Sequence, residues 1–312
     1  MDGETYAQMD TFIQAAEVWV PEGDVLTLAH GDYGHLDLFS AVSQKISFAH
    51  GQGLPGKAWA EARPVVLKQF EGSYFKRAKE AKASGLTAAL AIPVFALSEL
   101  KAVLVVFFGD NDQRVGAAEV WTEDNGGMLV LDDGYFGAAQ EFEFVSKHTQ
   151  FPRGQGLPGA VWAKSLPLLF RDLGSAYRFV RASAAGGAGL TNGLGFPVPG
   201  PGTKPYIVTL LSALGTPLAR RFEIWDARSA RIQAGGSPLL VDGVCEIEGT
   251  LPNMTESEGN TFAGSVPIGQ VLGSGLPVVI SDGSSLPAGY RRFVGLPIYA
   301  DDGLSHIVAW YV

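Results

Sequence analysis

The chain has 312 residues, of which 46% are hydrophobic and 18% charged, which is the composition of a folded protein with two or three domains. Its formal charge of −9 argues against nucleic-acid binding and against an electrostatic hold on anionic membranes, because both depend on clustered Lys and Arg. The single cysteine, Cys245, excludes an internal disulfide and a Cys-rich zinc site. With no signal-peptide pattern and no apolar run near the roughly 20 residues that cross a bilayer, we expect a cytoplasmic protein.

One pattern of sequence motifs occurs three times along the chain. The hexapeptide Gly51-Gln52-Gly53-Leu54-Pro55-Gly56 recurs unchanged as Gly154-Gln155-Gly156-Leu157-Pro158-Gly159, and Gly264-Ser265-Val266-Pro267-Ile268-Gly269 occupies the same place in a third, degenerate copy. A Glu-x-Trp triplet precedes each hexapeptide, beginning at Glu17, Glu119 and Glu223. Because matches on both sides of the hexapeptide keep nearly constant spacing, we interpret the chain as a tandem repeat.

The first copy predicts the following elements in chain order, from strand-like apolar runs, turn residues and helical spacing. They are a hairpin over 15–19 and 25–28, a strand at 46–48, a short helix at 54–62, a strand at 65–67, a helix at 74–84, and strands at 88–95 and 101–108. Pro93 removes a ladder donor, so the strand that contains it is bulged or at an edge there. The last strand is almost continuously apolar, which predicts burial on both faces.

These elements predict an α+β fold of three tandem domains, each with a mostly antiparallel six-stranded sheet flanked by helices. The predicted boundaries are 1–110, 111–215 and 216–312. The connections between copies are about ten residues long, so we expect consecutive copies to be joined almost strand to strand.

The order of motifs resembles the GAF domains of bacterial signalling proteins. The resemblance rests on Glu-x-Trp, then Gly-x-Gly-Leu-Pro-Gly-x-x-Trp, then Phe-x-Arg-Ala at residues 75–78 and 179–182, then Gly-Leu and a strand that ends in Pro-Val. It covers nearly the whole chain and is weakest in the third copy. It implies three GAF-like domains, the third degenerate, in a sensory or regulatory protein that binds a small molecule and signals through domain packing or a partner.

The resemblance also implies a candidate ligand pocket between sheet and helices. Its residues in this chain are Trp59, Tyr74, Phe75, Arg77, Trp162, Tyr177, Phe179 and Arg181. Each has a structural alternative: the two Trp side chains could pack in the core, and the two Arg side chains could be exposed and solvate a helix. A ligand role would make the Trp residues stacking walls and the Arg residues anion clamps.

The glycines of the hexapeptides, Gly51, Gly53, Gly56, Gly154, Gly156 and Gly159, are predicted to be structural turn residues at the start of a helix. Their spacing meets Gly-x-Gly-x-x-Gly, but no Gly-Lys-Ser/Thr and no second half of a βαβ unit follows, so neither a Walker loop nor a dinucleotide fold is indicated. A helix N-terminus that holds an anionic ligand group stays open as the alternative.

No catalytic or metal-binding set is apparent, so we expect a protein that is not an enzyme. One thiol cannot both form and resolve the oxidised intermediate of a GAF-fold methionine-sulfoxide reductase, and Cys245 lies outside the region where covalent bilins attach. No cofactor is implied. The open partners are a small-molecule ligand, a separate signalling output protein and a second copy of the chain in a homodimer. The alternative function is a protein-interaction or dimerisation scaffold without a ligand.

Overall fold

The computed structural model describes residues 11–109, 115–175, 179–213, 217–232, 236–246, 248–251, 266–281, 283–287 and 289–312. Copy 1 forms β1 Ile13–Glu22, β2 Val25–Asp32, α1 Asp37–Ser43, β3 Phe48–Ala49, α2 Gly53–Glu61, β4 Val65–Leu67, α3 Ala78–Ala83, β5 Leu86–Ala96 and β6 Glu99–Gly109. Copy 2 forms β7 Val115–Glu123, β8 Leu129–Gly137, α4 Gln140–Lys147, α5 Gly156–Lys164, β9 Leu168–Phe170, α6 Ala182–Gly187, β10 Leu190–Pro197 and β11 Tyr206–Ala213.

Copy 3 forms β12 Arg221–Asp226, α7 Arg228–Ile232, β13 Leu239–Cys245, β14 Gly249–Thr250, α8 Val266–Ser274, β15 Val278–Ile280, a 3-10 turn Gly283–Ser285, β16 Phe293–Ala300 and β17 Gly303–Tyr311. No described helix has the length and apolar character needed to cross a membrane.

Each copy builds its own antiparallel sheet, and the predicted fold class is confirmed. The strand orders are β3-β2-β1-β6-β5-β4 in copy 1, β8-β7-β11-β10-β9 in copy 2 and β14-β13-β12-β17-β16-β15 in copy 3. The sheet of copy 2 has five strands instead of the expected six. A single bridge between Leu129 and Phe151 lies where copy 1 has β3.

The last strand of each copy is buried on both faces, as its continuous apolar sequence predicts. Alternate residues of β6 face opposite sides of the sheet. Ala102, Leu104, Val106 and Phe108 belong to one apolar cluster, and Val103, Val105 and Phe107 belong to another. The second cluster lies under the helices of copy 1, whereas the first extends into copies 2 and 3.

The three sheets pack against one another through a common core. Their inward faces contribute residues such as Val18 from copy 1, Val120 from copy 2 and Ile224 from copy 3 to one apolar cluster. Three further clusters, one per copy, lie between the outer face of each sheet and its helices. The copies are therefore three sectors of one body, an arrangement that the prediction of three tandem domains did not include.

The contacts between copies close into a ring. The edge strand β4 of copy 1 contacts β8 of copy 2, β9 of copy 2 contacts β13 of copy 3, and β15 of copy 3 contacts β2 and β1 of copy 1. Each contact joins the equivalent edge strand of one copy (β4, β9 or β15) to the equivalent strand of the next (β8, β13 or β2). This is the pattern of a closed head-to-tail assembly. One chain thus has approximate three-fold symmetry.

Ion pairs cross the three junctions, but not in the same way. Lys68, directly after β4, pairs with Asp133 at 2.6 Å, and Arg171, directly after β9, pairs with Asp242. The corresponding positions at the third junction are Ser281 and His30. There, Arg292 instead pairs with Asp32 at 3.0 Å.

One predicted element needs correction in detail, and the expectation for Pro93 is met. The helix predicted at 74–84 is shorter and covers Ala78–Ala83, because Phe75 and Arg77 enter the core from the loop that precedes it. Pro93 lies in β5 beyond the last residue paired with β4, and the register shifts at Val94/Phe95, so both the edge and the bulge occur beside it. The missing N–H of Pro93 therefore costs the ladder on the β4 side nothing.

Candidate functional site

The Glu of each Glu-x-Trp triplet is buried on the helix side of its sheet. Glu17, Glu119 and Glu223 are at most 1% exposed. Residues two apart on a strand point to the same face, so each Glu lies beside the Trp that follows it. The indole Nε1 of Trp19, Trp121 or Trp225 donates to its own Glu at 2.9, 3.1 and 2.8 Å. A buried carboxylate requires more than this one donor, and each copy supplies the rest.

In copy 1, Arg77 neutralises Glu17. The guanidinium makes a two-pronged ion pair, with Nη1 at 2.5 Å from Oε1 and Nη2 at 2.9 Å from Oε2, and Nη1 also donates to Ser43. The Tyr33 hydroxyl adds a donor to Oε1 at 3.0 Å. Burial, and then the charge of Glu17, raise the pKa of Tyr33, so this hydroxyl stays a donor.

Aromatic rings surround the Arg77 guanidinium. Its Cζ lies 4.6 Å from the ring centre of Phe39 and between 5.3 and 5.7 Å from those of Trp19, Phe48, Phe75 and Phe107. Cation–π contact of this kind strengthens where water is excluded. The Arg77 Nε has no hydrogen-bond acceptor among the described residues.

Copy 2 repeats this network almost residue for residue. Arg181 pairs with Glu119, with Nη2 at 2.9 Å from Oε2, and also donates to Ser146. Thr209 takes the role of the tyrosine and donates to Oε2 at 2.7 Å. The rings around Arg181 are Trp121, Phe142, Phe151 and Phe179, at 4.5 to 5.4 Å.

Copy 3 neutralises its glutamate from a different place in the chain. Arg221, two residues before Glu223 on β12, approaches Oε1 at 2.6 Å through Nε. Tyr311 donates to Oε2 at 3.0 Å, and burial followed by the charge of Glu223 raises the pKa of Tyr311. The same chemistry is therefore present in all three copies, with a different source of the cation in copy 3.

The two arginines of the candidate pocket are thus part of the core. Arg77 is 0% exposed and Arg181 is 2% exposed, so the expectation that they could solvate a helix surface is wrong. The physical reason is the buried glutamate, which requires a cation at this position. Among the described residues, the chain's own Arg–Glu pair and the rings around it occupy the centre of the space between sheet and helices in copies 1 and 2.

The hexapeptide glycines form a tight turn that starts α2 and α5. Gly53 and Gly156 have φ of 59° and 61°, the left-handed region that favours glycine. A Cβ on Gly56 would lie 2.2 Å from the Ala49 carbonyl oxygen, and one on Gly159 would lie 2.4 Å from that of Pro152. Backbone therefore occupies the space at the turn.

The remaining candidate residues separate into buried and accessible ones. Phe75 and Phe179 are buried, and Phe75 stacks on Phe70 with ring centres 4.3 Å apart. Tyr74 is 40% exposed, with Lys57 Nζ 4.9 Å from its ring centre, and burial of its inner part raises the pKa of Tyr74 to about 12. Tyr177 lies outside the described residues.

The two tryptophans are half-buried at the outer end of the core, where they pack against their own copy's helix-side cluster. Trp59 has the His50 ring edge-on at 4.9 Å, and Arg153 lies over Trp162 at 5.6 Å. The structure thus brings together Phe75 and Arg77 within copy 1, and Phe179 and Arg181 within copy 2. It leaves Trp59, Trp162 and Tyr74 nearer the surface.

A cavity of about 440 Å³ opens beside Trp162. All three copies contribute to its walls: Phe95 and Leu97 from copy 1, Trp162 and Tyr206 from copy 2, and Tyr299 from copy 3. Lys204 and Asp301 are the charged residues of its lining. Its volume lies within the range of small-molecule sites.

Loop length explains why the cavity lies beside Trp162. The connection between β10 and β11 covers residues 198–205 and reaches α2 of copy 1, where a Cβ on Gly200 would lie 2.9 Å from the Ala62 carbonyl oxygen. The corresponding connection of copy 3 joins β16 to β17 and would reach α5 of copy 2 in the same way, but it has only residues 301 and 302. The cavity therefore occupies the place where a longer loop would cover α5.

Sequence reasoning missed the role of the Glu-x-Trp triplets, although their repetition in all three copies was the available signal. It also missed Arg221, for which the sequence offers no comparable signal, and the cavity residues Tyr206, Tyr299 and Lys204. Lys204 and Tyr206 belong to copy 2 and Tyr299 to copy 3, so they meet only because the ring closes.

No protein-family model and no curated protein matches this sequence. The search of solved structures gives similar folds at low identity. The A. aeolicus Nlh2 GAF domain in an inactive state is 22% identical over 32% of this chain and 60% of that chain, with a TM-score of 0.27. The GAF domain of a phosphoenolpyruvate-protein phosphotransferase from Coxiella burnetii is 19% identical over 31% of this chain and 56% of that chain, with a TM-score of 0.26.

The free methionine-R-sulfoxide reductase from Neisseria meningitidis, solved with its substrate, is 17% identical over 31% of this chain and 52% of that chain, with a TM-score of 0.24. This chain therefore spans between half and two thirds of the length of these solved structures.

Proposed function

We propose that this chain of three GAF-like copies is a regulatory protein that binds one small molecule in the cavity beside Trp162. The observation that carries the proposal is the cavity itself, which has ligand-sized volume and walls from all three copies. An occupant would contact copies 1, 2 and 3 at once. Binding would thereby change the packing between copies, which is the change that a separate output protein could detect.

The filled interiors direct the proposal to this cavity. A ligand between sheet and helices of copy 1 would have to displace Arg77 from Glu17 and leave a buried carboxylate without its cation, which costs several kcal/mol. The same holds for Arg181 and Glu119 in copy 2. Of the two tryptophans predicted to line a pocket, Trp162 lines the cavity between copies.

The chemistry of the described residues favours binding over catalysis. Cys245 is buried and shares a hydrogen bond with the Tyr290 hydroxyl at 3.0 Å, so its thiol is not exposed to a substrate in solution. Among the described residues, no three His, Cys, Asp or Glu side chains are grouped so as to hold a metal ion.

Native mass spectrometry and a thermal-shift screen with a metabolite library test this proposal. We expect a retained or added small molecule at one per chain and an increase in Tm, both lost in Trp162→Ala. Trp59→Ala is the matched control, because Trp59 occupies the same position in copy 1 and should leave binding unchanged. Binding that Trp59→Ala abolishes and Trp162→Ala spares would overturn the proposed site.

A ligand-free scaffold is the second candidate, and the Arg–Glu pairs in the interiors of copies 1 and 2 favour it. In that case the three copies would present their outer surfaces to a protein partner or to a second copy of the chain. The screen separates the two functions, since a scaffold gives no ligand-dependent Tm shift while a pull-down with the intact chain recovers a stoichiometric partner.

A further inference from the structure

We infer that the cavity beside Trp162 takes a planar aromatic acid, an inference that rests on the proposed function and adds the chemical class of the ligand. Neither the sequence motifs nor the compared structures assign a ligand to this place, which lies between copies and outside the sheet–helix interior of any one of them.

The walls select a flat aromatic ring. Trp162, Tyr206, Tyr299 and Phe95 all line the cavity, and Pro197, Pro199 and Pro205 supply further apolar surface. The Tyr299 hydroxyl donates to the Gly275 carbonyl at 2.8 Å, which fixes this ring with its polar atom engaged elsewhere. Aromatic walls of this kind bind flat ligands through offset-stacked and edge-to-face contacts.

The charges beside the aromatic walls select an acid. Lys204 Nζ lies 6.0 Å from the ring centre of Tyr206, and the Arg153 guanidinium lies 5.6 Å from that of Trp162. Neither cation makes an ion pair with a described carboxylate, and Lys204 lies in the lining, where a ligand can reach it. Asp301 alone opposes them in the lining. Lys204 lines the cavity and Arg153 lies over Trp162 outside the lining, so the cations near the aromatic walls outnumber the single carboxylate of the lining, which favours an anion.

Two probes with the same carboxylate, one aromatic and one saturated, distinguish the contribution of the ring to affinity from that of the charge. Isothermal titration would compare 1-naphthoate with decahydro-1-naphthoate, its saturated analogue, on the full chain. We expect 1-naphthoate to bind at one per chain and at least about tenfold more tightly, since stacking on one aromatic side chain commonly contributes that much. Equal affinity for the two probes would overturn the aromatic part of the inference.

Variants then assign the contacts. Trp162→Ala should weaken 1-naphthoate binding about tenfold, Trp162→Phe should retain most of it because a stacking face remains, and Trp59→Ala should leave it unchanged. The thermal melt of each variant confirms that it is folded. If Trp162→Phe binds no better than Trp162→Ala although both are folded, stacking does not hold the ligand.

The variant Lys204→Met tests whether the cavity prefers an acid. It should weaken 1-naphthoate about two- to fivefold and leave 1-naphthol unchanged, while Asp301→Asn should strengthen 1-naphthoate. An unchanged affinity for 1-naphthoate in Lys204→Met overturns the acid part. If a library metabolite binds in a Trp162-dependent way while 1-naphthoate does not bind, the chemical class is wrong and the proposed function stands. If no compound depends on Trp162, both fail.

Discussion

In copies 1 and 3, the buried glutamate is neutralised by arginines from different parts of the chain. In copy 1, Arg77 reaches Glu17 from the loop before α3, across the whole helix-side core. In copy 3, Arg221 reaches Glu223 from two residues away on the same strand. Copy 3 has no described helix between β15 and β16 that corresponds to α3.

This difference indicates that each copy requires a neutralised carboxylate on the helix side of its sheet. The Glu, its Trp and one hydroxyl are present in all three copies, whereas the element that supplies the cation can be replaced. A buried ion pair is weak evidence for stability, but losing one partner is costly. Copy 3 could therefore lose the helix only with another arginine in place.

The largest expected effect comes from Arg77→Met. It leaves Glu17 buried without a cation, and we expect the free energy of unfolding to fall by about 3 to 5 kcal/mol in urea denaturation. Arg221→Met should cost less, because Arg221 lies nearer the surface beside the exposed Glu248. The double variant Glu17→Gln with Arg77→Met should recover part of the loss, since no charge is then buried. A loss for Arg221→Met as large as that for Arg77→Met would contradict this ranking.

The next effect concerns the glycine at the sixth position of the hexapeptide. In copy 1, Gly56→Ala places a Cβ against the Ala49 carbonyl and should cost about 1 to 3 kcal/mol. In copy 3, a Cβ on Gly269 meets no atom of the described residues within 4 Å. Gly269→Ala should therefore be neutral or stabilise α8 by up to about 1 kcal/mol. Thermal melts of the two variants check the contrast, and a destabilised Gly269→Ala would show that the turn is as crowded in copy 3.

A smaller effect is expected at the junction between copies 3 and 1. Introducing Ser281→Arg together with His30→Asp reproduces the ion pair that Arg171 and Asp242 make between copies 2 and 3. Because both positions are exposed, we expect a gain below about 1 kcal/mol that disappears at high salt. A double-mutant cycle measures it; a coupling energy of zero at low salt would mean that the third junction is not equivalent to the others.

The smallest expected effect is a pH dependence confined to copy 3. Burial lowers the pKa of His306 in the fold and outweighs the opposing charge of Asp226, while the charge of Arg228 lowers it further. The unfolded chain therefore binds the proton more readily, and stability falls as the pH drops below about 6.5. Replacing His306 with Gln should flatten the Tm between pH 7 and pH 5.5. The corresponding positions in copies 1 and 2 are Ala102 and Tyr206, so no equivalent titration is expected there. An unaltered pH profile would show that other groups dominate.

Much of each copy was predictable from the sequence because its signals are local. The continuous apolar run of β6, the turn at Gly53 and the Pro after Ile92 each act within a few residues, and the elements formed where they indicated. The role of Arg77 was not predictable in this way, because its partner Glu17 is 60 residues distant in the sequence. A single arginine on a short amphipathic segment has the same local pattern whether it is exposed or buried.

The sequence by itself determined the α+β class, most of the strands and the Gly-rich turns, since apolar patterning and backbone restriction are properties of neighbouring residues. Only the tertiary structure decided which faces of the sheets meet, where the cation for each buried glutamate comes from and where a cavity remains. Those outcomes depend on the closing of three sheets around one core. That closure places a loop of copy 2 over copy 1 and leaves Trp162 beside a shorter turn.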